Sequence, residues 1–172
     1  MFTPSEQWIW HYCSEKARLL LDITATAQFC SPFSAAQLVY QPHQQPLTMA
    51  EAETFWAIDH SLQQLDMPAA VRLELCLTAL CGSFLQQQAH KSWYFQQGSA
   101  NTVAAQYDVV MLRGLSSQYA LVLSADSDCA NCLLLGDIST LAGKNIARLQ
   151  VVRVLHNRVS ALNVSIPYRY SA

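Results

Sequence analysis

The amino-acid sequence predicts an α+β protein: an N-terminal α/β part with a β-meander and two helices, then a C-terminal part that is β-barrel- or sandwich-like. Three observations predict this fold class. Apolar residues alternate with a period of two near the start, and they recur at helical spacing in the middle of the chain. The second half contains short β-like runs between turn residues. We place the domain boundary after residue 90, which gives regions 1–90 and 91–172.

The composition limits the class of protein. Hydrophobic residues make up 52% of the 172 residues and charged residues only 13%, whereas a typical soluble domain carries roughly 25% charge. Disorder is excluded, because disordered chains are poor in apolar residues and rich in charge. The longest uncharged apolar run, residues 75–85, is shorter than the ~20 residues of a membrane span. With no secretory signal at the start, we expect a cytosolic protein.

The first predicted element is a β-meander over residues 7–30. The side chains of its first strand alternate between two faces, with Trp8, Trp10 and Tyr12 on one and Ile9, His11 and Cys13 on the other. A polar turn at residues 14–16 leads to a second strand at 18–23. After a short turn at 24–26, a third strand runs through Phe29.

A proline- and glutamine-rich loop is predicted next, and a helix follows it. Thr48 and Glu51 have the spacing of a capping box, so we expect the helix to begin there and to run to about Leu65. Its apolar residues fall on one face at 3-4-3 spacing: Phe55, Ile58, Leu62 and Leu65.

A second helix is predicted from Asp66, with Pro68 just behind it, to about Gln88. Apolar residues cover most of its circumference, so we expect it to form the buried centre of the N-terminal part. The β-like runs that follow are residues 92–95, 107–112, 119–124 and 132–136. Residues 149–162 fit a helix or a strand, and we favour a strand because the region before them is β-rich.

Six cysteines occur in the chain, and we expect them to stay reduced in a cytosolic protein. Cys129 and Cys132 form the one pair with metal-ligand or redox spacing. A structural zinc needs four ligands, and His156 offers at most a third. We therefore favour two packing thiols at a strand start, with no metal and no cofactor. A CxxC metal or redox enzyme is the alternative.

The sequence contains no recognisable catalytic motif. None of its five glycines lies in a GxG or Walker pattern, and no HExxH or GxSxG occurs. Asp22 ends an apolar strand, so it is either a carboxylate with a tuned pKa or a residue that caps a turn. We expect a binding protein, not an enzyme.

Charge is distributed unevenly. Residues 1–86 contain three basic and eight acidic side chains, a net charge of −5, and residues 87–172 contain seven basic and four acidic ones, a net charge of +3. All the charged residues from Gly143 onward are basic: Lys144, Arg148, Arg153, Arg158 and Arg169. This asymmetry indicates an acidic partner for the second region, unless the arginines merely keep an apolar chain in solution.

Several short motifs, in order along nearly the whole chain, resemble the ZapC family of bacterial cell-division proteins. They are the WxWxY strand at residues 8–12, the segment RLLLD at 18–22, Phe29 and Phe33, KSWYF at 91–95, CLLL at 132–135, LAGK at 141–144 and VLHNRV at 154–159. The resemblance implies a cytoplasmic protein of the division ring at mid-cell. Such a protein binds the tubulin-like GTPase FtsZ, promotes lateral association of its protofilaments and lowers its GTP turnover.

Joining two filaments requires two binding surfaces, on one monomer or through a symmetric dimer, and the oligomeric state stays open. We expect an apolar pocket in the acidic N-terminal region and a basic surface in the C-terminal region. The expected contact residues are Trp8, Trp10, Tyr12, Leu21, Lys91, Trp93, Arg153 and Arg158. Each tryptophan is also a candidate core residue. The alternative function is a small β-barrel that binds single-stranded nucleic acid through Trp93 and its aromatic neighbours.

Overall fold

The first strands of the computed structural model, which describes residues 2–98 and 103–162, form the predicted meander. The strands are β1 (Ile9–Cys13), β2 (Arg18–Asp22) and β3 (Gln28–Cys30), with a short β4 (Gln45–Pro46) in the loop that follows. All pairs are antiparallel, in the order β3-β2-β1-β4. Trp10 of β1 lies opposite Leu21 of β2.

The first helix, α1 (Met49–Leu62), begins where the sequence predicts. Thr48 Oγ1 accepts a hydrogen bond from the Glu51 backbone N–H at 3.1 Å, and the Glu51 carboxylate accepts one from the Thr48 N–H at 2.7 Å. Both bonds satisfy N–H groups that a helix start leaves without partners. The helix ends at Leu62, three residues before the predicted end, although Leu65 is buried as expected.

The second helix, α2 (Ala69–Leu80), is shorter than predicted at both ends. Pro68 is its N-cap residue, and a residue before proline is disfavoured in the α conformation, so the helix cannot begin at Asp66. At the other end the chain tightens into a 3₁₀ turn at Cys81–Phe84 and becomes extended at Leu85. The C-terminal half of α2 is buried, as its apolar circumference predicts.

Aromatic side chains join the N-terminal sheet to the helical segment. The Trp8 ring meets Phe55 of α1 edge-on, with centroids 5.9 Å apart. The Trp10 ring meets Phe84, just after α2, with centroids 5.0 Å apart. Such edge-to-face pairs add about 0.5–1.5 kcal/mol beyond the burial of their area. The helical segment therefore covers Trp8 and Trp10 on one face of the sheet.

The C-terminal part is rich in antiparallel strands, as predicted. Its strands are β5 (Val109–Arg113), β6 (Ser117–Ala125), β7 (Cys129–Leu134), β8 (Ile138–Ser139), β9 (Asn145–Ile146), β10 (Val151–Leu155) and β11 (Val159–Ala161). Five of them form a sheet in the order β10-β7-β6-β5-β11, and β8 pairs with β9. The strand assignment for residues 149–162 is confirmed by β10 and β11, which flank a 3₁₀ turn at His156–Arg158.

Residues 92–95 do not form the predicted strand. Ser92–Tyr94 is a 3₁₀ turn, and Phe95 is extended. The turn follows a backbone hydrogen bond from Lys91 N–H to the Arg153 carbonyl at 2.7 Å. The Ser92 hydroxyl then accepts a bond from the Leu155 N–H at 2.8 Å. A side chain thus replaces the backbone acceptor that a paired strand would supply.

The chain divides into two units. The N-terminal unit comprises residues 1–63 and 67–87, and the C-terminal unit comprises residues 88–172 with 64–66. Of the basic residues after Gly143, Arg169 lies outside the described residues. Within the described part, no helix is both long enough and apolar enough to cross a membrane.

Candidate partner-binding surfaces

The expected apolar pocket at Trp8, Trp10 and Leu21 is not a surface. These side chains are only 3%, 0% and 0% exposed, respectively. The period of two along β1 places both tryptophans on the face that the helices cover. A partner cannot contact them without opening the core, so this expectation is corrected: the three residues pack the N-terminal unit.

A cleft of about 500 Å³ lies elsewhere on the same unit. Its lining residues are Ile9, His11, Tyr12, Asp22, His43 and Gln44. Tyr12 is thus the one predicted N-terminal contact residue that stays accessible. Because Tyr12 N–H donates to the Pro42 carbonyl at 3.0 Å, the loop that carries His43 and Gln44 is held beside β1.

The C-terminal unit exposes large apolar side chains in segments that backbone hydrogen bonds join. Trp93, Leu115 and Leu141 are 61%, 68% and 43% exposed. Leu141 N–H donates to the Tyr94 carbonyl, and Leu115 N–H donates to the Ser139 carbonyl. We call these three residues the C-terminal apolar surface. Exposed apolar patches of this kind mark interaction sites more often than scattered single residues do.

Trp93 is held by its aromatic neighbours. Its ring lies 5.8 Å from the His90 ring and 5.6 Å from the Tyr94 ring, centroid to centroid, and both contacts are edge-on. A large side chain fixed in this way loses little conformational freedom on binding. This is why tryptophan and tyrosine recur as anchors of protein interfaces.

Three basic residues lie within three positions along the chain of a residue of the C-terminal apolar surface. Lys91 precedes the 3₁₀ turn that carries Trp93. Arg113 ends β5, and its carbonyl accepts a bond from Gln96 N–H at 2.6 Å. Lys144 closes a turn in which its carbonyl accepts from both the N–H and the hydroxyl of Thr140, beside Leu141. We call Lys91, Arg113 and Lys144 the basic rim.

Arg153 and Arg158 are in different surroundings. The Arg153 guanidinium donates to the Asp126 carboxylate at 2.8 Å and is mostly buried. The pKa of Asp126 lies below its ordinary value because the backbone N–H groups of Cys129 and Asp128, and then Arg153, bond its charged form. Arg153 therefore has a structural partner already. Arg158 is half-buried in the 3₁₀ turn between β10 and β11.

Cys129 and Cys132 both lie in β7, three residues apart, so their side chains point to opposite faces of the sheet. They cannot bind one metal ion together. Burial raises the pKa of Cys132 to about 12, so its thiol stays protonated. His156 uses its two ring nitrogens for the Ala104 N–H and the Asp126 carbonyl. No group of three metal-binding side chains occurs within residues 2–98 and 103–162.

Four residues of the C-terminal surface and rim were not among the expected contact residues: Leu115, Leu141, Arg113 and Lys144. Leu115 offered a signal, because a leucine between Gly114 and two serines is an apolar residue in a turn. Gly114 itself is required there, since a Cβ atom would lie 2.2 Å from the Ser139 carbonyl oxygen. The other three residues come together only through the pairing of distant segments.

Comparison with known proteins matches both parts of the chain to one family. The model of the cell-division protein ZapC N-terminal region matches residues 1–87, and that of the ZapC C-terminal region matches residues 87–165. A cell division protein ZapC from Proteus mirabilis is 27% identical, covering 91% of this chain and 88% of the relative. One from Pseudoalteromonas translucida is 28% identical, covering 94% of each chain.

Proposed function

The chain belongs to the ZapC family of cell-division proteins, and we propose that it acts in division by binding FtsZ filaments through the C-terminal apolar surface and its basic rim. The observation that supports this most is the exposure of Trp93, Leu115 and Leu141, which lie on segments that also carry Lys91, Arg113 and Lys144. An apolar centre contributes affinity when water leaves it, and a charged rim selects an acidic partner and speeds association.

The same proposal includes bundling. One surface attaches the protein to one filament, and lateral association needs a second surface or a second copy of the chain. The N-terminal unit has a different, acidic character and offers exposed Met49 and Trp56 on α1 as well as the cleft beside β1. A monomer with two unlike binding surfaces is the simplest arrangement that meets the requirement.

Suppression of GTP turnover by FtsZ follows if the protein binds the polymerised conformation of FtsZ more tightly than it binds the other conformations of FtsZ. A ligand shifts an equilibrium only by its difference in affinity for the two states. The protein then needs no catalytic group and no cofactor of its own. Binding to the filaments would also place it at the division site at mid-cell, in the cytoplasm.

Co-sedimentation with GTP-bound FtsZ polymers, scored together with phosphate release, tests the proposal. We expect Trp93→Ala to weaken binding at least about tenfold, as for an interface anchor. Lys144→Glu should weaken it severalfold, and less at high salt, because exposed charges are screened. The double variant Gln7→Glu with Gln64→Glu is the matched control, since it makes the same net charge change at two exposed positions outside the rim and the cleft.

The outcomes separate clearly. If Trp93→Ala and Lys144→Glu co-sediment and bundle like the unchanged protein, the proposed surface is wrong. If the Gln7→Glu, Gln64→Glu double variant is as damaging as Lys144→Glu, the effect comes from net charge and the rim has no special role. Arg153→Glu should lower the stability of the protein, because Arg153 is already paired with Asp126. Measured on folded protein, it should weaken binding to FtsZ less than Lys144→Glu does.

A second candidate function is binding of single-stranded nucleic acid. It is favoured by one feature, the exposed Trp93 ring between His90 and Tyr94 next to Lys91. Aromatic platforms of this type stack on bases in a sequence-tolerant way. Titration of a thymidine oligonucleotide, followed by tryptophan fluorescence, would give a steeply salt-dependent affinity in that case. No binding at low salt would exclude this function.

A further inference from the structure

The cleft beside β1 in the N-terminal unit has one carboxylate in its lining, that of Asp22. Asp22 ends β2, and its Oδ1 accepts a hydrogen bond from the Gln28 amide at 2.6 Å. Its Oδ2 lies 3.0 Å from Nε2 of His11. The Lys16 ammonium donates a hydrogen bond to the side-chain oxygen of Gln28 at 2.9 Å. The carboxylate is thus held in one orientation by side chains on β1 and β3.

Asp22 is negatively charged at neutral pH. Partial burial alone would raise its pKa, but the hydrogen bonds from Gln28 and His11 outweigh burial and hold the pKa below its ordinary value of 3.8. The side chain is 43% exposed. A carboxylate has about four positions for accepting hydrogen bonds, so Gln28 and His11 leave room for a further donor from outside.

The remaining lining residues suit a cationic group on an aliphatic chain. Tyr12 contributes to the wall of the cleft, where its backbone N–H holds the loop of His43 and Gln44 through the Pro42 carbonyl. Ile9 offers an aliphatic contact for a methylene chain. Gln44 has a positive φ of 42°, an uncommon conformation for a residue other than glycine, in the loop that forms one wall. Among the described residues, the histidines and Asp22 do not form a three-ligand metal site.

We propose that this cleft binds the side chain of an arginine from a partner protein, with the guanidinium at Asp22 and its methylenes against Ile9. Arginine fits better than lysine because its planar fork can donate to both carboxylate oxygens at once, whereas the lysine ammonium is a single point charge. The net charge of −5 over residues 1–86 favours approach of a basic segment. The inference does not depend on the partner being FtsZ.

The test is a titration of the full-length, ¹⁵N-labelled chain with N-acetyl-arginine amide, followed by NMR. N-acetyl-citrulline amide is the matched neutral probe, because it has the same length and shape without the charge. We expect the arginine probe to bind in the millimolar range, with shifts at the backbone amides of Ile9, His11, Tyr12 and His43. The citrulline probe should bind at least about tenfold more weakly, since it lacks the charge-assisted bond.

Two variants locate the site. Asp22→Asn keeps the shape of the side chain and removes its charge, so binding of the arginine probe should fall at least about tenfold. Glu15→Gln removes one charge from the exposed β1–β2 turn and should change nothing. Equal binding of the two probes, or an Asp22→Asn protein that folds and binds arginine normally, would overturn the inference.

The outcome is separable from that of the proposed function. Trp93→Ala changes the C-terminal unit and should leave binding of the arginine probe intact. If the arginine probe fails while FtsZ co-sedimentation persists, only the cleft inference falls. If FtsZ binding fails while the cleft binds arginine, only the proposed function falls.

Discussion

Two aromatic clusters of this molecule look alike in sequence and differ in position. Trp8 and Trp10 in β1 are buried against the helical segment, whereas Trp93 in a 3₁₀ turn is mostly exposed. The first cluster lies on a strand whose face is covered. The second lies in a turn, where no sheet face fixes which side chain points inward.

The difference shows that an aromatic motif alone does not identify a binding surface. Both clusters stand among apolar residues, and both were expected to contact a partner. Only backbone context assigns one to the core and the other to the surface. Each unit has its own buried core, and the position of an aromatic residue on a covered strand or in a turn decides whether a partner can reach it.

Removing one tryptophan ring from each cluster should give the largest difference in the free energy of unfolding. Trp10→Ala is expected to lower the free energy of unfolding by about 3–5 kcal/mol, because it empties a fully buried site next to Phe84. Trp93→Ala should change it by no more than about 0.5 kcal/mol, as for an exposed residue. Urea unfolding followed by circular dichroism measures both.

Two results would contradict this predicted difference between Trp10→Ala and Trp93→Ala. Equal destabilisation by the two variants would mean that the Trp93 ring is part of a core. A stable Trp10→Ala protein would mean that the N-terminal sheet is not held by its aromatic face. In FtsZ co-sedimentation at a temperature where both variants are folded, the order should reverse, with Trp93→Ala the more damaging.

The N-terminal unit was largely predictable because its signals are local. The alternation of β1 and the capping box at Thr48 each depend on residues close in sequence, and both are found. The end of α2 was misplaced because the change to a 3₁₀ turn at Cys81–Phe84 leaves no break in the apolar pattern. The strand expected at residues 92–95 failed because Ser92 bonds Leu155, a residue far along the chain.

The candidate site was predicted only in part. Trp93 belongs to the C-terminal apolar surface and Lys91 to its basic rim, but Leu141 joins the surface through a bond to Tyr94 that no local pattern reveals. The pocket expected at Trp8 and Trp10 failed because alternation specifies that residues share a face without specifying whether that face is covered. That information comes from packing, which a single sequence does not contain.

A smaller effect is expected from the start of α1, the helix whose Phe55 contacts Trp8. Thr48→Ala should lower the free energy of unfolding by about 1 kcal/mol, since it removes the acceptor for the Glu51 N–H. Glu53→Gln is the control, because Glu53 is exposed on the same helix and takes no part in the capping box. Equal losses in Thr48→Ala and Glu53→Gln would show that the cap does not stabilise this helix.

The smallest predicted effect is on the stability of the fold at acidic pH. The folded pKa of Asp22 lies below 3.8, so its interactions stabilise the fold above about that pH and are lost as the pH falls through the lowered value. Between pH 5 and about pH 2, the unchanged protein should therefore lose slightly more stability than Asp22→Asn. Thermal unfolding across this range measures the difference. Parallel pH profiles would show that Asp22 has no such interactions.

Hydroxyl-radical footprinting of the unchanged protein, with and without GTP-bound FtsZ polymers, tests the central claim most directly. We predict that oxidation of Trp93, Leu115 and Leu141 falls severalfold when the polymers are added, while the buried Trp8 and Trp10 react slowly in both samples. If the protein co-sediments with the polymers and these three residues are oxidised as fast as in the free protein, the C-terminal apolar surface is not the binding surface.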